Sequence, residues 1–167
     1  MTELPESICS RLAVQLVVTL VQFHYPRLRG LHREVVLHSK ALAGQPEWER
    51  LLSSYRVLSR EVLELMGQQD ALVFDRVQIL AVRKQLAYGT LSGERREFER
   101  LRARQEALSV VRRRLEESMQ NTLPLHAESR AGAELRLAIK AFCAAYQEQL
   151  DFERQALVPV LGPFLRG

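Results

Sequence analysis

Four polar residues interrupt otherwise apolar helical stripes, one in each of four successive stretches of the chain: His24, Gln69, Gln105 and Gln149. A buried amide or imidazole needs a hydrogen-bond partner, because burying it alone costs about 2 kcal/mol or more. Two interpretations are open at this stage. The four side chains can meet in one polar layer that fixes helix register, or some of them can lie at the edge of a stripe and face solvent.

Helical periodicity defines the elements that would position these residues. Apolar residues recur every three or four positions, as at Val14, Val17, Val21, Leu28, Leu31 and Val35 in the first stretch. Turn signals at residues 43–46, 88–93 and 121–124 divide the chain into helices of about 6–42, 47–87, 94–120 and 125–160. Connections this short favour antiparallel neighbours. The sequence therefore predicts one all-α domain over residues 1–167, an antiparallel up-down four-helix bundle.

Pro26 lies inside the first predicted helix. A proline there removes one backbone hydrogen bond and clashes with the preceding turn, at a cost of about 3 kcal/mol in a straight helix. We therefore expect a bend near His24.

The charged residues favour a solvated surface over a nucleic-acid interface. The formal net charge is +4, and the arginines of the third stretch alternate with glutamates at helical spacing. The expected pairs are Arg95/Glu99, Arg102/Glu106 and Arg113/Glu117. The preference for arginine over lysine is consistent with a bacterial chain from a GC-rich genome.

The apolar run 12–23 is too short to span a bilayer, and it follows Glu3 and Glu6 where a signal peptide has basic residues. Cys9 and Cys143 are far apart and lack metal-binding spacing. Reduced thiols of this kind are typical of the cytoplasm. The sequence predicts a cytoplasmic protein without membrane or nucleic-acid partners.

Three segments resemble the hemerythrin-like family, especially its bacterial iron–sulfur-repair branch. They are residues 21–29 (VQFHYPRLR), 63–74 (LELMGQQDALVF) and 149–159 (QLDFERQALVP). The resemblance implies a four-helix bundle with a di-iron centre, and it retains His24 and Glu153 as ligands. Leu65 and Gln69 stand where the family has a His and a Glu, and Pro26 departs from the family pattern.

Gln149 replaces the fourth-helix His of the family, and Gln105 stands where a third-helix His is expected. A di-iron centre needs several imidazoles and bridging carboxylates, and a glutamine amide is a poor iron ligand. His24 and Glu153 alone could start only a weak mononuclear site. His126 begins a segment, residues 126–132, that faintly resembles another family phrase, but a third-helix ligand role for it would leave too few residues before Gln149.

Three functions are compatible with these residues. The first is a metal-free descendant of the family that acts as an interaction or regulatory module with a protein partner. The second is a residual metal-binding protein for iron, oxygen or nitric oxide, as the resemblance implies. The third is a haem or other cofactor binder that uses His24 or His38, which lie about 21 Å apart along one helix, while His32 is expected to face solvent.

The sequence favours the first function and predicts no cofactor. It contains no nucleophile-elbow motif, phosphate-binding loop, CxxC or HExxH, so there is no positive case for an enzyme.

Overall fold

The computed structural model describes residues 5–122 and 129–166, which form four long helices packed together and, within those ranges, no strand. The predicted all-α class is confirmed. The first helix is Glu6–Leu42 and the second spans 46–82. A short 3-10 turn, Ser92–Glu94, leads into the third helix, Arg95–Thr122, and the fourth spans 130–165.

The second helix ends earlier than the expected residue 87. Lys84 adopts a left-handed conformation with φ of 55°, and the Gln85 N–H donates to the Leu80 carbonyl oxygen at 2.8 Å. This arrangement is a Schellman cap, which usually has glycine at the left-handed position. The glycine-based stop signal, Gly89, instead lies in the following turn with φ of 79°.

The fourth helix continues beyond the expected residue 160, although Pro163 lies inside it. Leu161, Phe164 and Leu165 are buried and anchor this last segment in the core. Burial of such side chains contributes about 1.5–3 kcal/mol each, enough to offset the lost backbone bond. Ser129 caps the described start by accepting from the Gly132 N–H at 3.2 Å, and the expected start at residue 125 lies outside the described residues.

Three π-helical turns interrupt the long helices: Leu20–His24, Asp70–Phe74 and Glu153–Leu157. The first lies where Pro26 predicted a bend. The Tyr25 N–H donates to the Leu20 carbonyl oxygen, and Pro26 follows as the second residue of the resumed α-helix. The residue that cannot donate therefore lies directly after a π turn, where the α-helical hydrogen-bond pattern is already changed. The proline is therefore accommodated by a change of helix type.

The surface ion pairs differ in part from the expected ones. Arg95 Nε donates to Glu99 Oε1 at 2.8 Å, as expected. Glu106, however, accepts from Arg154 Nη2 of the fourth helix at 2.7 Å, so the predicted Arg102/Glu106 pair is wrong. The fourth helix packs beside the third and brings the Arg154 guanidinium to this carboxylate.

The first helix also contains an 18-residue window apolar enough to cross a membrane by length and composition alone. The signal is weak, since buried core helices and N-terminal signal sequences pass the same test, and 17% of this window is buried. Ala13, Val17 and Leu20 of this helix are fully buried against the other helices.

Candidate functional site

A buried carboxylate with three glutamine partners lies in the interior of the bundle. Glu153 is 3% exposed. Its Oε2 accepts from Gln69 Nε2 at 3.1 Å and from Gln105 Nε2 at 2.9 Å, and its Oε1 accepts from Gln149 Nε2 at 2.7 Å. The second, third and fourth helices therefore meet at one carboxyl group.

The first helix contributes Tyr25. Its buried hydroxyl donates to Gln69 Oε1 at 3.0 Å, and Gln105 Nε2 lies 3.3 Å from the same oxygen. We call Tyr25, Gln69, Gln105, Gln149 and Glu153 the amide–carboxylate cluster. The cluster connects all four helices by hydrogen bonds between side chains that are at most 5% exposed.

Each π turn adjoins a member of the cluster. Tyr25 directly follows the first π turn, Gln69 directly precedes the second, and Glu153 begins the third. A π turn inserts an extra residue and rotates the following residues by about 100° relative to an uninterrupted helix. Such turns occur frequently at functional sites. Here the first π turn is followed directly by Tyr25, the first-helix residue that faces the cluster.

The electrostatics of the cluster are set by burial. Desolvation raises the pKa of Glu153 above its usual value, although hydrogen bonds from the three amides and the positive field of Arg102 oppose the shift. Among the described residues, no lysine, arginine or histidine donates a hydrogen bond to Glu153. Burial and the nearby Glu153 charge raise the pKa of Tyr25 well above its usual value, so its hydroxyl remains a donor.

The structure places His24 beside the cluster rather than in it. The His24 ring is half-buried and packs against Phe152 at 4.8 Å and Phe23 at 5.3 Å between ring centroids. Burial lowers the pKa of His24, and the Arg27 charge lowers it further while Glu148 opposes the shift. Tyr25, which the sequence reasoning did not single out, takes the first-helix position in the cluster. The available signal was Pro26, because a proline inside a helix indicates a change of helix geometry next to it.

His32 and His38 make their contacts outside the cluster. His38 is half-exposed and lies 3.6 Å from Glu134 Oε2. His32 is half-buried, and its Nδ1 lies 3.0 Å from the Tyr55 hydroxyl, so the expectation that it faces solvent is wrong. The stacked Tyr55 ring holds it against the bundle. His126 lies outside the described residues.

Gln149 Oε1 and the Tyr146 hydroxyl, on the fourth helix, have no hydrogen-bond partner in the described part of the chain. Both residues are 1% exposed. The two residues are three positions apart and therefore lie on the same side of the helix. The cluster thus has unused hydrogen-bonding capacity on its fourth-helix side.

The donor set does not fit a pair of iron ions. The cluster supplies one carboxylate and three neutral amides, and the amide nitrogens, which are not metal ligands, point at that carboxylate. Within residues 5–122 and 129–166, no three His, Cys, Asp or Glu side chains are grouped so that they could hold a metal ion. Two irons need several imidazoles and bridging carboxylates. The arrangement can instead stabilise a buried carboxyl group through hydrogen bonds from the second, third and fourth helices.

The chain matches no protein-family model, no curated protein and no solved structure in the comparisons made.

Proposed function

We propose that this chain is a hemerythrin-like, up-down antiparallel bundle in which hydrogen bonds have replaced the di-iron centre. It acts as a non-catalytic interaction or regulatory module for a protein partner in the cytoplasm. The observation that carries the proposal is the convergence of three glutamine amides on Glu153. Four of the positions implied for iron ligands are hydrogen-bonded to one another: Gln69, Gln105, Gln149 and Glu153.

Helix contacts support the up-down arrangement. The start of the first helix, Glu6–Thr19, packs against Asp75–Val82 at the end of the second helix and Val158–Leu165 at the end of the fourth. The later part of the first helix, Tyr25–Ser39, packs against Arg130–Phe152. Neighbours that contact each other in this reversed order run in opposite directions.

The chemistry of the described side chains supports a non-catalytic role. Cys9 and Cys143 are not joined in a disulfide, and burial raises the pKa of Cys143 to about 12. A thiol of this kind is not a nucleophile at neutral pH. Tyr25 and Glu153 are buried in the core, so a substrate cannot contact them.

Metal analysis with an absorption spectrum tests this proposal. Protein produced in iron-rich medium is expected to contain far less than one iron per chain, with no oxo-bridge band. Its melting temperature should not change after treatment with a chelator. Two irons per chain with an oxo-bridge band would contradict the proposal, and a Soret band would favour a haem protein.

A gain-of-function variant provides the matched control. Leu65→His, Gln69→Glu, Gln105→His and Gln149→His together restore the ligand types that the resemblance implies. If the bundle is hemerythrin-like, this variant is expected to acquire iron that the wild-type protein lacks. Failure of the folded variant to bind iron would count against the hemerythrin-like assignment.

A residual metal site is the second candidate, because Glu153 has no cationic hydrogen-bond partner among the described residues. Melting temperatures with Fe²⁺, Mn²⁺ or Zn²⁺ separate the candidates. A stabilisation lost in both His24→Ala and Glu153→Gln would favour the residual site. No stabilisation in the wild-type protein would remove it.

A further inference from the structure

A basic groove lies between the start of the third helix and the end of the fourth. It has a volume of about 220 Å³. Half-buried Val158 supplies apolar surface above the buried side chains of Phe98 and Leu165, and Arg102 and Arg166 supply guanidinium groups. The groove thus combines apolar contact area with positive charge.

Neither of these two arginines has a carboxylate partner in the described part of the chain. Glu106, four residues after Arg102, is bonded to Arg154. Arg166 Nε donates to the Gly162 carbonyl oxygen at 3.3 Å, which holds its guanidinium over the last helical turn. The one acidic residue of the groove, Glu99, is paired with Arg95 at 2.8 Å. Two positive charges are therefore available to a ligand.

We propose that this groove binds an acidic segment of a protein partner, in which a carboxylate side chain lies next to an apolar one. The inference rests on the proposed function and names the chemistry of its partner. The carboxylate would pair with Arg102 and Arg166, and the apolar side chain would contact Val158. Arginine suits this role because its planar fork binds carboxylates in a bidentate manner.

The charge pattern favours an acidic peptide over nucleic acid. A nucleic-acid backbone needs a row of unpaired cations along its phosphates. On the third helix that row is interrupted, because Arg95, Arg100, Arg104 and Arg112 are each bonded to glutamates of the same chain. A short groove with two available arginines fits one or two carboxylates.

The groove also adjoins the amide–carboxylate cluster. Arg102 is close enough for its positive field to lower the pKa of Glu153 against the effect of burial. A bound carboxylate would offset that field. Occupancy of the groove should therefore raise the pKa of Glu153, which gives a second readout of binding at Arg102.

Fluorescence anisotropy with a labelled peptide of alternating glutamate and leucine tests the proposal at low salt, about 50 mM. The variant Arg102→Gln/Arg166→Gln is expected to weaken binding about tenfold or more. The matched control is Arg113→Gln/Arg114→Gln, which removes two exposed arginines of the third helix outside the groove. Binding by the control should stay within about twofold of the wild-type value.

A peptide of alternating lysine and leucine and a single-stranded DNA oligonucleotide complete the experiment. No binding of the acidic peptide, equal losses in both double variants, or tighter binding of DNA would each overturn the proposal. A carbon-13 NMR titration in which the peptide leaves the pKa of Glu153 unchanged would overturn binding at Arg102. Circular dichroism checks that each variant is folded, and Arg102→Lys/Arg166→Lys, which keeps both charges, should bind more tightly than the glutamine variant.

The iron measurement described above separates the two ways of failing. A di-iron spectrum refutes the proposed function whatever the peptide does. A metal-free protein that does not bind the acidic peptide refutes only the proposal that the groove is its binding site.

Discussion

Two regions of the bundle interior each contain a buried tyrosine, and its hydroxyl has a different kind of hydrogen-bond partner in each region. In the amide–carboxylate cluster, Tyr25 donates to Gln69, and every partner in the network is buried. In the second region, Tyr55 lies 3.0 Å from His32 Nδ1 and packs edge-on against Phe142 at 5.3 Å between ring centroids. That second region, which we call the aromatic layer, has a half-buried partner that can also meet water.

Helix geometry differs between the two regions in the same way. His32, Tyr55 and Phe142 all lie in uninterrupted α-helix, whereas the cluster adjoins all three described π turns. Apolar and aromatic packing tolerates regular helices, because one side chain can shift slightly without losing its contacts. A hydrogen-bonded network needs specific atom positions. The π turns adjoin that network and not the aromatic layer, and the contrast indicates where the fold was constrained by more than packing.

The largest effect is expected for Gln69→Leu. This change keeps the core filled but leaves the Tyr25 hydroxyl without its acceptor and removes one donor to Glu153. We expect a loss of about 3 kcal/mol in the free energy of unfolding, measured by urea denaturation. Gln120→Leu, at an exposed position of the third helix, is the control and should change stability by less than about 0.5 kcal/mol. Equal stability of the two variants would mean that the cluster does not contribute to the free energy of unfolding.

The next effect concerns pH. Because the folded pKa of Glu153 is raised above 4.5, its value in a model compound, the folded state holds this proton more tightly than the unfolded state. The stabilisation is complete below the unfolded pKa and is lost as pH rises through the folded pKa. Each tenfold difference in proton affinity corresponds to about 1.4 kcal/mol.

Glu153→Gln removes this titration. Urea denaturation from about pH 4 to pH 8 should show the stability of wild-type relative to Glu153→Gln decreasing as pH rises. A relative stability that increases with pH would show instead that the amides and Arg102 outweigh burial.

The smallest effects compare the two hydroxyls directly. Tyr25→Phe should cost about 1 kcal/mol, because Gln69 Oε1 keeps only the longer contact from Gln105. Tyr55→Phe should cost about 0.5 kcal/mol, since half-buried His32 can bond to water. Thermal denaturation of both variants ranks them. A larger loss for Tyr55→Phe would reverse the comparison between the cluster and the aromatic layer.

Much of this architecture can be read from the sequence, because apolar periodicity and short turns leave few alternatives to four packed helices. The helix ends were less predictable where tertiary burial overrides local signals, as at Leu161 and Phe164 beyond Pro159. Lys84 shows the same limit, because a lysine in a left-handed cap has no signature in the sequence.

The cluster was predictable only in part. The polar interruptions at Gln69, Gln105 and Gln149 were visible, but their convergence on Glu153 depends on how three helices pack together. The rotation that the first π turn introduces exchanges His24 for Tyr25, and helical periodicity alone cannot reveal an inserted residue. The pairing of Glu106 with Arg154 was also hidden, since contacts between helices do not follow the i,i+4 rule.

The central claim, that three buried amides hold the Glu153 carboxyl group, is tested most directly by NMR of the glutamine side-chain amides. Three of these NH₂ groups should exchange slowly with solvent, and all three signals should shift together in Glu153→Gln. Assignment through Gln69→Leu, Gln105→Leu and Gln149→Leu should remove one signal each. Exchange as fast as that of exposed glutamines, or broadening of these signals by a bound paramagnetic metal ion, would contradict the account.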